Sequence, residues 1–209
     1  MKVVIFDMDG TLIDSKKDIT ISINHVRKVN YNLAPLSEEF VVEAINMHDR
    51  NLAKLFYETD IYLRRDKNLF EKHYNSQCIE NVYLYECVAQ MLERLRHEGI
   101  KLSVATNAPT KFAKRMLEHL KVSSFFDKII GADMVSESKP SPEMLNMILE
   151  HYDFDINAHK GWMVGDNSKD VVSAKSAGLK PIFVTWGFAR ESDENVVAKK
   201  PSEVLDIVL

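Results

Sequence analysis

Two aspartates separated by a single residue, Asp7 and Asp9, come after a short apolar run and are succeeded at once by Gly10 and Thr11. Other reactive side chains stand just past later apolar runs. Thr106 and Asn107 come first, then Lys139 in a long segment, then Gly165, Asp166 and Asn167, with Asp170 four residues beyond Asp166. Carboxylates gathered in one place repel each other. A divalent cation relieves that repulsion, and oxygen ligands from two or three carboxylates suit Mg²⁺. A carboxylate can also attack phosphorus and form an aspartyl-phosphate, which splits one difficult hydrolysis into two easier steps. A second acid two residues away can protonate the departing oxygen and then deprotonate the attacking water. The hydroxyl of Thr106 and the ammonium of Lys139 suit the charge on a transferring phosphoryl group.

That chemistry requires the residues to converge, and the pattern of elements supplies a way. Short apolar runs at 3–6, 102–105, 129–131, 162–164 and 182–185 read as buried strands. Helical stripes lie between the later ones. Leu84, Val88, Met91, Leu92 and Leu95 share a face closed by Gly99; Phe112, Met116, Leu117 and Leu120 mark the next helix. Met144, Leu145, Ile148, Leu149 and Tyr152 mark another, with Ser141 as its expected N-cap and Pro142 in its first turn. Val171, Ala174 and Ala177 make a short helix ended by Gly178. Strands alternating with helices predict an α/β chain with a parallel sheet covered on both faces. Such a sheet binds ligands at the carboxyl ends of its strands, where Asp7, Asp9, Thr106, Asn107, Lys139 and Asp166 all fall.

Residues 15–80 break the rhythm. Helical stripes at Ile19, Ile23 and Val26, at Phe40, Val41, Ala44 and Ile45, at Leu52, Leu55 and Phe56, and over 61–74 succeed one another without a clear strand. This predicts a helical subdomain inserted after the first strand.

Composition sets bounds. At 209 residues with 45% hydrophobic side chains, the chain holds one ordinary domain and a small lid. With 27 basic and 31 acidic residues the net charge is −4, which argues against a general nucleic-acid surface. The two cysteines, Cys78 and Cys87, give no disulfide framework and read as small hydrophobes or surface thiols. No two of the seven histidines are spaced i,i+4 as metal ligands on a helix. The apolar run at 3–6 is too short for a signal peptide or membrane span, so a soluble, cytoplasmic protein without membrane partners is expected.

The stretch FDMDGTLIDS over 6–15 resembles the first motif of the haloacid dehalogenase-like phosphohydrolases. ATN at 105–107, KPSPE at 139–143 and VGDNSKDVVSAKSAG at 164–178 resemble that family's later motifs, in order. The resemblance implies a Rossmann-like core of residues 1–14 with 82–209 and a helical cap of residues 15–81, hinged near 13–15 and 81–85. It implies Asp7 as nucleophile and Asp9 as general acid/base. Asp7, Asp166 and, through its backbone carbonyl, Asp9 would hold Mg²⁺. Asp170 would act through water or as an anchor, although it also suits the cap of a short helix. Thr106, Asn107 and Lys139 would bind the phosphoryl group, helped by backbone N–H groups near Met8 and Asn107.

Asp9 argues against the dehalogenase branch, which does not use the second acid. Ile19 stands about where the sugar-phosphate mutases place a cap histidine, so hydrolysis of a small phosphorylated metabolite is favoured. The chain is most similar to bacterial phosphoglycolate phosphatases, with two departures: Tyr85-Glu86 where those enzymes commonly carry Pro-Gly, and residues 46–51 without a glycine in the cap loop. A broad phosphatase acting on sugar phosphates, nucleotides or pyrophosphate is the alternative. A silent partner-binding protein on the same fold is the reading from another class, and a missing Asp or Lys would have favoured it. Arg50 and Lys54, one turn apart on an expected helix, are candidate cap contacts for a substrate carboxylate. Trp186 in TWGF most simply packs on the core, the rim of the active site being the other reading. Monomer and homodimer are equally compatible with the sequence.

Overall fold

The computed structural model describes residues 1–47, 50–189 and 194–209. The chain begins with β1 (Lys2–Phe6) and turns into the two-residue strand β2 (Ile13–Asp14). It then runs through α1 (Lys16–Val26), a π-helical turn at Arg27–Tyr31, α2 (Glu38–Asn46), α3 (Leu52–Tyr57) and α4 (Arg64–Gln77). β3 (Tyr83–Leu84) pairs antiparallel with β2, Ile13 opposite Leu84. Helices and strands then alternate through α5 (Val88–His97), β4 (Lys101–Thr106), α6 (Thr110–His119), β5 (Lys128–Gly131) and α7 (Glu143–His151). The order ends with β6 (Lys160–Gly165), α8 (Ser168–Ser176), β7 (Lys180–Val184), β8 (Val197–Ala198) and α9 (Pro201–Val208).

Six strands make one parallel sheet in the order β5–β4–β1–β6–β7–β8. β1 is central, with Val4 opposite Leu102 on one side and Trp162 on the other. The chain winds outward from β1 to β5 and then returns to its other side. The carboxyl ends of β4, β1 and β6 therefore border the point where strand order reverses, the ligand-binding crevice of such sheets. Val3, Ile5, Ala105, Ile130 and Met163 face one side and pack with Met144, Leu145 and Ile148 of α7 and Ala174 of α8. Period-2 alternation turns Val4, Phe6, Leu102, Val104 and Val164, all fully buried, to the opposite face, on the side of α5 and α9. Each such large apolar side chain contributes about 1.5–3 kcal/mol on burial, so a five-residue strand like β1, buried on both faces, is a rigid base for the loop at its carboxyl end.

The chain divides into two compact units, Met1–Asp14 with Tyr83–Leu209, and Ser15–Val82. Among the described residues the second contains helices and no strand. Its core joins Ile23 and Val26 of α1 to Val41 and Ala44 of α2 and Phe56 and Tyr57 of α3, and α1 packs along α4. Asp18, fully buried, accepts hydrogen bonds from Gln77 Nε2 at 2.8 Å and from Asn81 N and Nδ2 at 2.9 and 2.7 Å. That bonding fastens the first turn of α1 to the chain beyond α4.

Three expectations need correction. Leu84 belongs to β3 rather than to the helix of Val88 and Leu95, because its strand pairs with β2 and the Tyr85 N–H donates to Leu12 O at 3.1 Å. α7 starts one residue later than expected, with Pro142 rather than Ser141 as N-cap. The Glu143 carboxylate reaches back to the N–H groups of Ser136 and Glu137, at 3.0 and 2.9 Å, and fixes the helix entry there. Arg50 lies outside α3, whose N-cap is Asn51; the Asn51 side chain accepts the Lys54 N–H at 3.1 Å. Asn is among the best N-caps, which is why the helix begins after it.

Candidate active site

β1 delivers Asp7 into a tight loop. Asp7 N–H still donates to Val164 O at 2.8 Å, as a continuation of the sheet, and then the carbonyl of the buried Met8 accepts from the N–H groups of Thr11, Leu12 and Ile13. Gly10 makes the turn possible: its φ is +86°, and an added Cβ would lie 2.3 Å from Asp166 Oδ2. The Thr11 hydroxyl stands 3.4 Å from both Asp7 Oδ2 and Asp166 Oδ1.

Lys139 is 4% exposed, yet its ammonium is fully compensated by Asp7 Oδ1 at 2.7 Å and Asp170 Oδ1 at 2.6 Å. Burial pushes the Lys139 pKa down, but the Asp170 and Asp7 charges more than reverse that, so its ammonium is held protonated. Asn107 holds the lysine in place: its Nδ2 donates to Lys139 O and its Oδ1 accepts from Lys139 N, each at 3.0 Å. The Asn107 side chain thus spans the Lys139 backbone with one donor and one acceptor, and its second Nδ2 hydrogen and its backbone N–H are left for a ligand. Thr106, the last residue of β4, accepts from Ala108 N at 3.1 Å and lies 3.5 Å from Asp9 Oδ2.

Asp7, Asp166 and Asp170, all buried, each offer a carboxylate oxygen within 4.8 Å of the others'. The side chain of Asp9 stands outside this trio. Burial drives the Asp166 pKa well up, and the neighbouring Asp7 and Asp170 charges add to it. Burial also raises Asp170, to about 6, with Lys139 opposing and Asp7 adding. Asp170 closes a capping box at the start of α8, in which Asn167 is the N-cap and its N–H donates to Asp170 Oδ2 at 3.1 Å. Capping the helix and anchoring Lys139 are therefore one arrangement. Three buried carboxylates against one lysine leave negative charge uncompensated, and oxygen-only donors at this spacing fit a hard divalent cation such as Mg²⁺.

The sequence favours core packing for Trp186, with the rim of the site as the other reading, and the segment it belongs to touches the site directly. Phe188 N–H donates to Asp166 Oδ2 at 2.7 Å, and Trp186 Nε1 donates to Thr11 O at 3.0 Å. The signal available was its position one step past a buried strand, the same position that singles out Asp7 and Asp166. Tyr85 was also missed as a neighbour: burial and then the charges of Asp14, Asp166 and Asp9 push its phenol pKa up. In the other unit, Arg50 has a buried Nη1 without a hydrogen-bond partner among the described residues, and burial lowers its pKa. Lys54 is exposed, and His48 and Asp49 of the cap loop lie outside the described residues.

The haloacid dehalogenase-like hydrolase family matches residues 4–184. The phosphoglycolate phosphatase of Aquifex aeolicus is 30% identical, over 100% of this chain and 97% of its own. The N-acetylmuramic acid 6-phosphate phosphatase of Pseudomonas aeruginosa is 26% identical, over 100% and 95%. Among solved structures, a predicted phosphoglycolate phosphatase from Haemophilus somnus superposes with a TM-score of 0.85 at 25% identity, covering 100% of this chain and 98% of that one. A parallel sheet reversing at β1, with a buried aspartate trio and lysine at its carboxyl edge, is thus joined to a match over most of the chain, and the protein belongs to the haloacid dehalogenase-like hydrolase family. It is an enzyme, a phosphatase. Within the family it falls in the capped branch and resembles the bacterial phosphoglycolate phosphatases.

Proposed function

We propose that the protein hydrolyses a small phosphomonoester, 2-phosphoglycolate foremost, through a phosphorylated Asp7. The observation that carries this reading is the Asp7 carboxylate, held at 2.7 Å by the ammonium of Lys139 in a buried acidic trio. An Asp7 oxygen attacks phosphorus and the ester oxygen leaves with the proton of Asp9. Asp9 then removes a proton from water, which attacks the phosphorus of phospho-Asp7 and regenerates the carboxylate with release of phosphate. Thr106, Lys139 and the backbone N–H groups of Met8 and Asn107 hold the phosphoryl oxygens. Asp7, Asp166 and the Asp9 carbonyl would hold Mg²⁺, which supplies charge neutralisation and polarises the phosphoryl group when bound. Asp170 acts as an anchor for Lys139 beside that site.

Arg50 and Lys54 of the helical unit are the candidates for binding a substrate carboxylate. A buried guanidinium nitrogen with no partner among the described residues is costly, and an anion would remove that cost, which supports Arg50 over Lys54. The second reading is a phosphatase of broader range on sugar phosphates, nucleotides or pyrophosphate. The range of substrates named for relatives at similar identity favours keeping it.

Mg²⁺-dependent phosphate release from phosphoglycolate, N-acetylmuramic acid 6-phosphate, hexose phosphates, nucleoside monophosphates and pyrophosphate, with EDTA and D7N controls, tests both. A preference for phosphoglycolate lost in both controls is expected. Flat activity would withdraw that substrate and keep the mechanism, and undiminished turnover in D7N without deamidation would overturn the nucleophile.

A further inference from the structure

The two oxygens of Asp166 have different surroundings. Oδ2 accepts from Phe188 N at 2.7 Å and lies 3.4 Å from Ala189 N; Oδ1 has the Thr11 hydroxyl at 3.4 Å. The difference is made by residues 185–189, and that segment is itself fixed at several points. Thr185 N–H donates to Ala198 O at 3.1 Å, and Trp186 Nε1 donates to Thr11 O at 3.0 Å, across 175 residues of chain. Gly187 approaches so closely that a Cβ there would stand 1.9 Å from Gly10 O and 2.6 Å from Asp166 Oδ2.

We infer that residues 185–189 are the positioning element of Asp166, with Trp186 as anchor and Gly187 as the residue that permits the approach. The segment engages Oδ2 with backbone N–H groups, while Oδ1 has only the long contact from the Thr11 hydroxyl, so Oδ1 is the oxygen that would face a divalent cation and Asp166 would serve as a one-oxygen ligand. This rests on the metal reading given above. Mg²⁺ and Mn²⁺ favour octahedral sites with single carboxylate oxygens, whereas Ca²⁺ accepts a carboxylate through both oxygens and tolerates irregular geometry. A clamped Oδ2 therefore selects the smaller ions. The bond from Trp186 to the Thr11 carbonyl ties the nucleophile loop to the same segment, so the clamp also sets the spacing of Asp7 and Asp166.

The test uses the full chain without substrate, free of metal, titrated with Mn²⁺ followed by electron paramagnetic resonance and with Ca²⁺ by competition. Far-ultraviolet circular dichroism monitors the fold. Trp186→Ala and Gly187→Ala are expected to weaken Mn²⁺ about tenfold, the range for loss of groups that orient a metal ligand, with Ca²⁺ weakened less than about threefold. Trp186→Phe keeps an aromatic ring, though a smaller one, and loses the N–H, so it shifts the Mn²⁺ to Ca²⁺ ratio in the same direction by less, and it remains informative if Gly187→Ala does not fold. Mn²⁺ affinity equal to the parent in all folded variants would overturn the inference, as would parallel losses of Mn²⁺ and Ca²⁺, the signature of simple loosening. Asp166→Asn is expected to lose Mn²⁺ binding. If it binds like the parent, the metal reading falls and takes the inference with it.

Discussion

Lys139 bridges the two carboxylates on which the proposed chemistry depends, so its removal has effects of two kinds. Lys139→Met leaves Asp7 and Asp170 facing each other without their cation, and breaking a buried pair of this sort costs about 3–5 kcal/mol. Urea denaturation of the metal-free variant is expected to show that loss, with added Mg²⁺ returning part of it. Its turnover should fall by about 10²-fold or more, because the charge that the proposed mechanism sets against the phosphoryl oxygens is also gone. Cys87 poses a different problem at the same scale. It is exposed and sits at φ +63° where α5 begins, a conformation costly for any side chain. Cys87→Gly is expected to stabilise the protein by about 0.5–1 kcal/mol, a small gain because glycine is also freer in the unfolded chain, with turnover unchanged. A lower melting temperature in this variant would contradict that reading.

At the scale of elements, α8 does more than cover the sheet. Its capping box fixes Asp170, and Asp170 fixes Lys139. Asn167→Ala is expected to cost about 1 kcal/mol of stability, as cap losses do, and also to lower kcat by loosening Lys139. An ordinary solvent-facing cap would change only the first quantity, so steady-state kinetics beside thermal melts separates the two roles. The β2–β3 pair shows how local pattern fails. Leu84 matches the helical spacing of Val88 and Leu95, but two residues of antiparallel pairing with β2 claim it instead. A two-residue strand has no period to read, so neither β2, β3 nor β8 was legible in the sequence, whereas β1, β4 and β6, buried on both faces, were.

For the whole molecule, the uncompensated carboxylates link stability to pH and to metal. Asp166 and Asp170 both have folded values above the ordinary 3.8, Asp170 at about 6. In the metal-free protein they therefore cost stability that is absent below 3.8 and fully present above their folded values. Acidifying from neutral pH through about 6 removes part of that cost, while a bound cation removes it at neutral pH. The rise in melting temperature on adding Mg²⁺ is expected to be larger at neutral pH than at a pH below 6, and equal increments at both would count against the trio as a cation site. No helix among the described residues is long and apolar enough to cross a membrane.

The sequence by itself determined the order of buried strands and which reactive side chain comes after each, because side-chain period, turn residues and the chemistry of Asp, Thr and Lys are properties of short stretches. Asp7, Thr106, Lys139 and Asp166 were all legible in this way. Only the tertiary structure decided how their atoms are used. Asn107 holds the Lys139 backbone through its side chain, Asp170 joins a helix cap to a lysine, and one oxygen of Asp166 is taken by the N–H groups of Phe188 and Ala189. Each of these contacts joins residues more than twenty positions apart, and their directions depend on rotamers and backbone approach set by packing, which no local pattern encodes.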